Sequence, residues 1–257
     1  MDDAWCSNNK QISFLSESYQ NIFNVFDSFP LKPTLFIIGQ DISSTNKEIL
    51  KAADKGYEIG NHSLTHRYLT SLSSEEIFDE VMITHNKLSQ YSEIVGFRAP
   101  GWDANEKVLE VLNNSGYLYD SSKVVGLPYL GLKIAHWIIN KKLTRIYGST
   151  KGLLINRNLN KNISLPGFRN FITECCLGVP FYNSTFKFFT KKIKQILIRR
   201  AYYGKNYSFI FHANDFRTKN IDDTFETLQI LKQSFKLCSI RHYTKGLGPA
   251  SLQNNDM

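Results

Sequence analysis

The stretch TLFIIGQDISSTNKEILKAADKGYEIGNHSLTH, residues 34–66, decides the fold. It opens with an apolar run that ends in glycine, TLFIIG (34–39), which is typical of a strand buried on both faces. A helical segment follows, in which Thr45 and Glu48 have capping-box spacing and Gly56 stands where a glycine often ends a helix. GYEIGNH is then a second strand. The stretch therefore predicts a strand–helix–strand unit of a parallel sheet.

The same alternation continues along the chain. Three helices are predicted: one is opened by Ser73 and Glu76 and runs to about Ser89, one is opened by Asp103 and Glu106 and closed at Gly116, and an amphipathic one runs from about Asp222 to Phe235. The predicted strands are VGFRAP (95–100), YLYD (117–120), YSFIFH (207–212) and a final KLCSIRH (236–242). No clear pattern covers residues 123–206. Strands that alternate with helices indicate a parallel sheet, either doubly wound or closed into a barrel. In both architectures the active groups collect at the C-terminal ends of the strands.

Composition and charge limit the class of protein. Of the 257 residues, 42% are hydrophobic, which is enough for a large core. The net charge of +8 favours anionic partners. No run of 18 apolar residues is present, and Met1 is followed at once by two aspartates, so we expect neither a membrane span nor a signal peptide. The four cysteines show no disulfide or zinc-knuckle spacing, which favours a reducing compartment and a cytoplasmic location.

Two histidines four residues apart, His62 and His66, end the second strand. Such a pair can offer two nitrogens to one metal ion, although polar loop histidines have the same spacing. Asp2 and Asp3 are candidates for the remaining roles, because one carboxylate of an adjacent pair can bind a metal while the other takes a proton. The alternative for these aspartates is a solvated chain end.

Two further polar residues stand at predicted strand ends. Arg98, in GFRAPGW, ends a buried strand where an unpaired guanidinium is costly, so we expect it to meet a carboxylate. His212 ends the apolar run SFIFH, where an imidazole can donate a proton or serve as an ordinary core histidine. Asn61, His62, Arg98 and His212 therefore share one predicted edge of the sheet.

These segments, in this order, resemble the polysaccharide deacetylase (NodB-homology) family, carbohydrate esterase family 4. GYEIGNHSLTH carries most of the likeness, and FRAPGW and GYLYDSS support it. The resemblance implies an α/β fold, a distorted (β/α) barrel spanning residues 1–257 as one catalytic domain. It also implies a divalent metal, most often zinc, and hydrolysis of the N-acyl group of an amino sugar.

The resemblance assigns a role to each motif residue. The implied metal ligands are Asp3, His62 and His66. Asp2 would be the catalytic base, Arg98 would hold Asp2, and His212 would be the acid. The implied substrate pocket is lined by Pro100, Trp102 and Asp120, of which Trp102 and Asp120 stand in for a fourth motif that the sequence lacks in its usual form. The family's first strand is expected to be truncated, and the last motif is FHAND, in which Asp215 either orients His212 or caps a helix.

Two segments combine basic and apolar residues, 127–147 and 184–203. They are typical either of helices that lie on an anionic membrane or of outer barrel helices with a lysine-rich face. The membrane alternative favours a polyprenyl-linked saccharide over an extracellular glycan as substrate, and PGWDANEKVLEV resembles the formamido-arabinose deformylase type. A catalytically inactive, sugar-binding relative is the main rival. Nucleic-acid binding is not expected, because no recognition motif accompanies the charge.

Overall fold

The computed structural model describes residues 9–29, 32–125, 169–176, 179–180, 183, 189–202 and 208–244, and gives side chains for 15–29, 32–122, 183, 189–199 and 208–244. Its helices are α1 (Asn9–Asp27), α2 (Ile42–Asp54), α3 (Ser74–Leu88), α4 (Glu106–Asn114), α5 (Lys191–Tyr202), α6 (Ile221–Ser234) and α7 (Ile240–Thr244). Its strands are β1 (Thr34–Ile37), β2 (Glu58–Asn61), β3 (Gly96–Phe97), β4 (Tyr119–Val125), β5 (Arg169–Cys176) and β6 (Val179–Pro180).

The strands lie side by side in chain order. β1 to β5 are all parallel, and β6 runs antiparallel to β5. Helices α2, α3 and α4 connect the first four strands in turn. A doubly wound sheet reverses its strand order at a switch point, whereas a barrel keeps the order of the sequence. The described sheet therefore winds in the manner of a (β/α) barrel, and the predicted fold class is confirmed.

Both faces of the sheet are buried, as the apolar run at β1 predicted. Between the strands and the helices lies the larger core, in which Ile37, Ile59 and Phe97 meet side chains of the surrounding helices. On the opposite face a smaller cluster joins Phe36, Val95 and Tyr119, and Ile240 of α7 packs against it.

A buried carboxylate closes the N-terminal end of the strands. Glu58 accepts hydrogen bonds from the Thr34 hydroxyl at 2.6 Å, the Tyr119 hydroxyl at 2.8 Å and the backbone N–H of Arg241 at 3.1 Å. Burial raises the pKa of Glu58, and the hydrogen bonds from Thr34 and Tyr119 oppose that rise. The contact with Arg241 fixes α7 at the end of the barrel opposite to the predicted site.

Several predicted boundaries are confirmed. The Ser73–Glu76 capping box forms with both of its hydrogen bonds, and α6 spans nearly the predicted residues. Gly56 and Gly116 adopt φ values of +79° and +80° where α2 and α4 end. This left-handed conformation is the reason that glycine is favoured after a helix.

Other predictions were wrong. Asp103 does not open α4: Asn105 is its N-cap, because the Asn105 side chain accepts from the backbone N–H of Val108. Thr45 lies inside α2 with non-helical dihedrals rather than at its start, since a short 3-10 turn leads into the helix from Asp41. The predicted final strand is also wrong, since α7 is a helix.

The predicted strand 207–212 is largely irregular. Among its described residues, only Ile210 forms a β-bridge, and the 3-10 turn Ala213–Phe216 follows. α1 was not anticipated, and its apolar face packs on α2 and on this 3-10 turn. Of the two basic segments, 127–147 lies outside the described residues, whereas most of 184–203 is α5.

Candidate active site

His62 and His66 come together in the loop after β2. Their ring centroids lie 5.0 Å apart with an interplanar angle of 70°. His62 is fully buried, and its Nδ1 lies 2.6 Å from the carbonyl oxygen of Arg98. Because a carbonyl can only accept, Nδ1 carries the proton in the neutral ring and Nε2 keeps its lone pair. The backbone of the Arg98 loop therefore selects the tautomer that a metal ligand needs.

The loop that carries the two rings has an unusual backbone. Ser63 and His66 have φ values of 63° and 60°, in the left-handed region that non-glycine residues seldom adopt. The strained turn is held by hydrogen bonds from both sides. The Asn61 side chain accepts from the N–H of Ser63, and the carbonyls of Ser63 and Leu64 accept from the β1 loop at Gly39 and Gln40. Strain of this kind persists only where the surrounding structure fixes it, and it is concentrated at functional sites.

Gly39 is required by this close approach. A β-carbon on Gly39 would lie 2.2 Å from the Thr84 hydroxyl oxygen and 2.9 Å from a Leu64 methyl group. The glycine that ends the apolar run therefore lets the loop with the two histidines lie against β1.

Arg98 is buried at the end of β3. Its guanidinium lies 4.4 Å from the centroid of the Phe36 ring and donates to the hydroxyl and the carbonyl oxygen of Ser121. These contacts hold the side chain between Phe36 of β1 and Ser121 of β4. The predicted partner, Asp2, lies outside the described residues, so the ion pair stays a prediction.

The segment Pro100–Trp102 forms a 3-10 turn beside the histidine loop. Gly101 and Trp102 adopt φ values of 60° and 55°, and a β-carbon on Gly101 would lie 2.4 Å from the Tyr68 ring. Asp103 fixes this turn to the segment after His66, because its carboxylate accepts from both the N–H and the hydroxyl of Thr70. The two motifs are therefore one packed unit.

His212 lies beside that unit. Its ring is 6.4 Å from the Trp102 ring, centroid to centroid, in an edge-to-face arrangement. The Asp215 carboxylate accepts from the backbone N–H of His212 at 2.8 Å, which makes Asp215 a cap of the 3-10 turn. The segment that ends at His212 and the Pro100–Trp102 turn therefore lie next to each other, whereas the role of His212 stays a prediction.

Asp120 stabilises the ends of β3 and β4 through hydrogen bonds that include Ser122 and Ala99. Its carboxylate accepts from the N–H and the hydroxyl of Ser122, and the Ser122 hydroxyl in turn accepts from the N–H of Ala99. Asp120 is only 2% exposed, and this burial raises its pKa to about 6 despite its hydrogen bonds with Ser122. The described contacts make Asp120 part of the strand-end framework, and its contact with a substrate stays a prediction.

The two histidines fit a divalent metal. Two imidazoles that bind one tetrahedral ion at about 2.0–2.1 Å place their ring centres roughly 5 Å apart, which matches the observed separation. Within the described part of the chain, no three histidine, cysteine or acidic side chains converge on one point. The expected third ligand, Asp3, and the expected base, Asp2, lie outside it. The two imidazoles therefore lie close enough to share one ion, whereas their binding of a metal and the carboxylate ligand both stay predictions.

Sequence reasoning missed three supporting residues: Glu80, Asp103 as an anchor, and Ser122. Glu80 is the clearest, because it is a carboxylate on the buried face of α3, next to Val81 and three residues after Ile77. A charged residue inside an apolar helical stripe is the signal that would have identified it.

The chain resembles known proteins over its first half. The sequence model of the polysaccharide deacetylase family matches residues 1–119. A chitin deacetylase 2 of Cryptococcus neoformans var. neoformans is 29% identical over 109 residues, covering 42% of this chain and 21% of that protein. A protein of Wigglesworthia glossinidia brevipalpis with the name "Probable 4-deoxy-4-formamido-L-arabinose-phosphoundecaprenol deformylase ArnD" is 29% identical over 121 residues, covering 43% of this chain and 42% of that protein. The matches thus span less than half of either relative.

The structural likeness extends further. The structure of BA3943 from Bacillus anthracis, a CE4 family pseudoenzyme, superposes with a TM-score of 0.58 at 12% identity, covering 95% of this chain and 63% of that chain. At this identity the likeness establishes the fold alone. Over residues 1–119, which include the His62–His66 pair and Arg98, the chain is therefore similar to the polysaccharide deacetylase family, and its fold is that of the carbohydrate esterase family 4 structure.

Proposed function

We propose that the protein is a metal-dependent hydrolase that removes an N-acyl group, acetyl or formyl, from an amino sugar. The observation that carries this proposal is the pairing of His62 and His66 at 5.0 Å, with the proton of His62 held on Nδ1 by the Arg98 carbonyl. An ordinary loop histidine needs neither the fixed tautomer nor the strained backbone that brings the rings together.

The residues divide the work of amide hydrolysis. Asp3, His62 and His66 would hold zinc, which when bound supplies a Lewis acid that polarises the acyl oxygen and lowers the pKa of water. Asp2 removes the proton of the attacking water, and Arg98 keeps Asp2 ionised and oriented. His212 protonates the leaving amine, and Trp102 packs beside it at the edge of the acyl pocket with Pro100.

A lipid-linked amino sugar is the substrate we favour over a polymer. One relative is named for a formamido-arabinose attached to phosphoundecaprenol, and this chain carries a basic, apolar helix of the kind that can lie on an anionic membrane surface. Within the described residues, no helix has the length and apolarity to cross a bilayer. The contact with lipid that we propose is that of a helix lying on the membrane surface.

Helix α5 supplies the candidate membrane surface. The exposed fractions are 42% for Ile193 and 56% for Ile196, which lie about one turn apart on α5, and Phe189 just before the helix is 42% exposed, so these residues form an exposed apolar stripe. Lys192 and Arg199 are exposed beside this stripe. An apolar stripe flanked by cations matches a surface of anionic lipid headgroups over acyl chains.

Replacing Lys191, Lys192 and Arg199 together with glutamine is expected to weaken binding to vesicles. Each basic residue near an anionic surface contributes about 1 kcal/mol to binding. The affinity for phosphatidylglycerol vesicles, measured by sedimentation, should therefore fall roughly 100-fold. Vesicles of phosphatidylcholine alone should bind both proteins weakly.

A matched triple variant separates a specific surface from general charge. Lys47, Lys87 and Lys107 are exposed on α2, α3 and α4, and replacing them with glutamine removes the same total charge. An equal loss in both triple variants would leave α5 as an ordinary outer helix of the barrel.

The proposal as a whole is tested with zinc and an acylated amino sugar. The wild-type protein should purify with about one zinc per chain and release acetate or formate from the substrate. Asp2→Asn should keep that zinc and lose at least about 100-fold in kcat, because the base is gone while the ligand set is intact. Zinc without turnover in the wild-type protein would identify a sugar-binding relative instead, and full activity in Asp2→Asn would exclude Asp2 as the base.

A further inference from the structure

A single carboxylate on α3 holds the loop that carries His66. One oxygen of Glu80 accepts from the backbone N–H groups of Leu64 and Thr65, at 2.9 and 2.8 Å. The other accepts from the Thr65 hydroxyl at 2.5 Å and from the guanidinium of Arg67 at 3.1 Å. Glu80 is only 2% exposed, and these partners satisfy its buried carboxylate oxygens.

The contacts of Glu80 surround the strained residue of the loop. His66 has a φ of 60°, and such a conformation in a non-glycine residue typically costs on the order of 1–3 kcal/mol. Glu80 fixes the two residues before His66 through their backbone and hydroxyl, and the residue after it through its side chain. These bonds are not needed to cap α3, which has its own capping box at Ser73 and Glu76.

We propose that Glu80 is a positioning residue for His66: it keeps the imidazole of His66 next to that of His62 so that both can bind one divalent metal. This inference rests on the proposed metal-dependent function. Glu80 touches neither metal nor substrate in this scheme, and it acts only through the loop residues on either side of His66. Supporting residues of this kind typically change metal affinity by 10- to 100-fold when they are removed.

The first test compares Glu80→Ala with Glu80→Gln. Alanine removes every acceptor, so we expect the affinity for zinc, measured by competition with a chromogenic chelator, to fall at least about 10-fold. A glutamine can turn its amide oxygen to the two backbone N–H groups and donate from its NH₂ group to the Thr65 hydroxyl, giving up only Arg67. The glutamine variant should therefore keep a zinc affinity within about 3-fold of the wild type. If the negative charge of Glu80 were what mattered, glutamine would lower the affinity as much as alanine does.

Glu76→Gln is the matched control. Glu76 lies one turn earlier on α3 and also faces Arg67, at 3.9 Å, but it makes no contact with residues 64 and 65 among the described bonds. Glutamine preserves the capping box. This variant changes the same charge on the same helix and should bind zinc like the wild type.

A spectroscopic readout separates position from general stability. Cobalt bound in place of zinc should give a visible spectrum whose intensity depends on the coordination geometry, and Glu80→Ala should alter it while Glu76→Gln should not. If alanine prevents folding, Glu80→Leu fills the same volume without an acceptor and is expected to show the same loss. Zinc affinity and cobalt spectrum equal to wild type in the folded alanine or leucine variant would overturn the proposal.

The same variants remain informative if the proposed function fails. If the wild-type protein binds no zinc, the hydrolase proposal falls, and the position of His66 is then read from its ring NMR signals in the metal-free protein. Shifted His66 signals in Glu80→Ala but not in Glu76→Gln would support the positioning role. Unchanged signals would overturn it.

Discussion

Replacing either His62 or His66 with alanine is expected to abolish zinc binding. Each ring supplies one nitrogen to an expected set of three protein ligands, and two remaining ligands cannot hold the ion at physiological concentrations. We expect zinc affinity to fall by more than about 100-fold, beyond the 10- to 100-fold typical of a supporting residue. Hydrolysis of an acylated amino sugar should fall to background. Metal analysis of the purified variants and chelator competition are the measurements.

The two substitutions should differ in their effect on stability. His62 is fully buried and bonds to the Arg98 carbonyl, so His62→Ala leaves both a cavity and an unsatisfied carbonyl. His66 has a positive φ, which alanine tolerates no better, and its side chain is less buried than that of His62. The metal-free His62→Ala protein should therefore melt at a lower temperature than metal-free His66→Ala.

His85→Ala is the control for both variants. His85 is a half-buried histidine on α3 whose Nδ1 lies 3.1 Å from the Tyr117 hydroxyl. Its ring contacts Tyr117 and is not one of the paired imidazoles of His62 and His66. A variant with this histidine removed should keep one zinc per chain. Zinc retained in full by His62→Ala or His66→Ala would contradict the metal site itself.

The sequence was most informative where one local pattern and the tertiary structure agree. The apolar run at 34–39 needed burial on both faces, and the barrel supplies it. The capping box at Ser73 is formed by residues three apart and needs no distant contact. The histidine pair and Arg98 could be placed at one edge, because the ends of parallel strands lie together in this architecture.

The errors arise where a distant contact decides a local conformation. Asp103 has the spacing of a helix cap, but Thr70 captures its carboxylate and the cap passes to Asn105. The segment 236–242 has the composition of a strand. It forms α7 instead, because Ile240 packs against the smaller cluster around Phe36 and the N–H of Arg241 bonds to Glu58. Neither partner is adjacent in sequence, so neither could be inferred from the local pattern.

The conformation of the site was the least predictable feature. Ser63, His66 and Trp102 adopt positive φ without being glycine, and no residue type marks such positions in advance. The loop of Ser63 and His66 is held by bonds to Asn61, Glu80 and the β1 loop, and the Trp102 turn is held by the bonds of Asp103 to Thr70, so distant elements fix both segments. The sequence could therefore indicate which side chains form the site, but not the backbone that brings them together.

His212→Gln is expected to lower kcat for an acylated amino sugar by about 10²- to 10⁴-fold, with zinc content unchanged. The amine of an amide leaves only when it is protonated, and removal of a positioned acid typically has an effect of this size. The ring of His212 lies at the same edge as the Trp102 turn, 6.4 Å from the indole by centroids, and the backbone cap from Asp215 keeps the segment in place in the variant.

The leaving group distinguishes an acid from a residue that only binds. An aryl acetate releases a phenolate that needs no proton, so His212→Gln should hydrolyse such an ester within about 10-fold of the wild-type rate while the amide reaction fails. His242→Gln, at an exposed histidine on α7 at the other end of the strands, should leave both reactions unchanged. Equal losses on ester and amide would assign His212 to substrate binding or oxyanion stabilisation, and the proton for the amine would then have to come from another group.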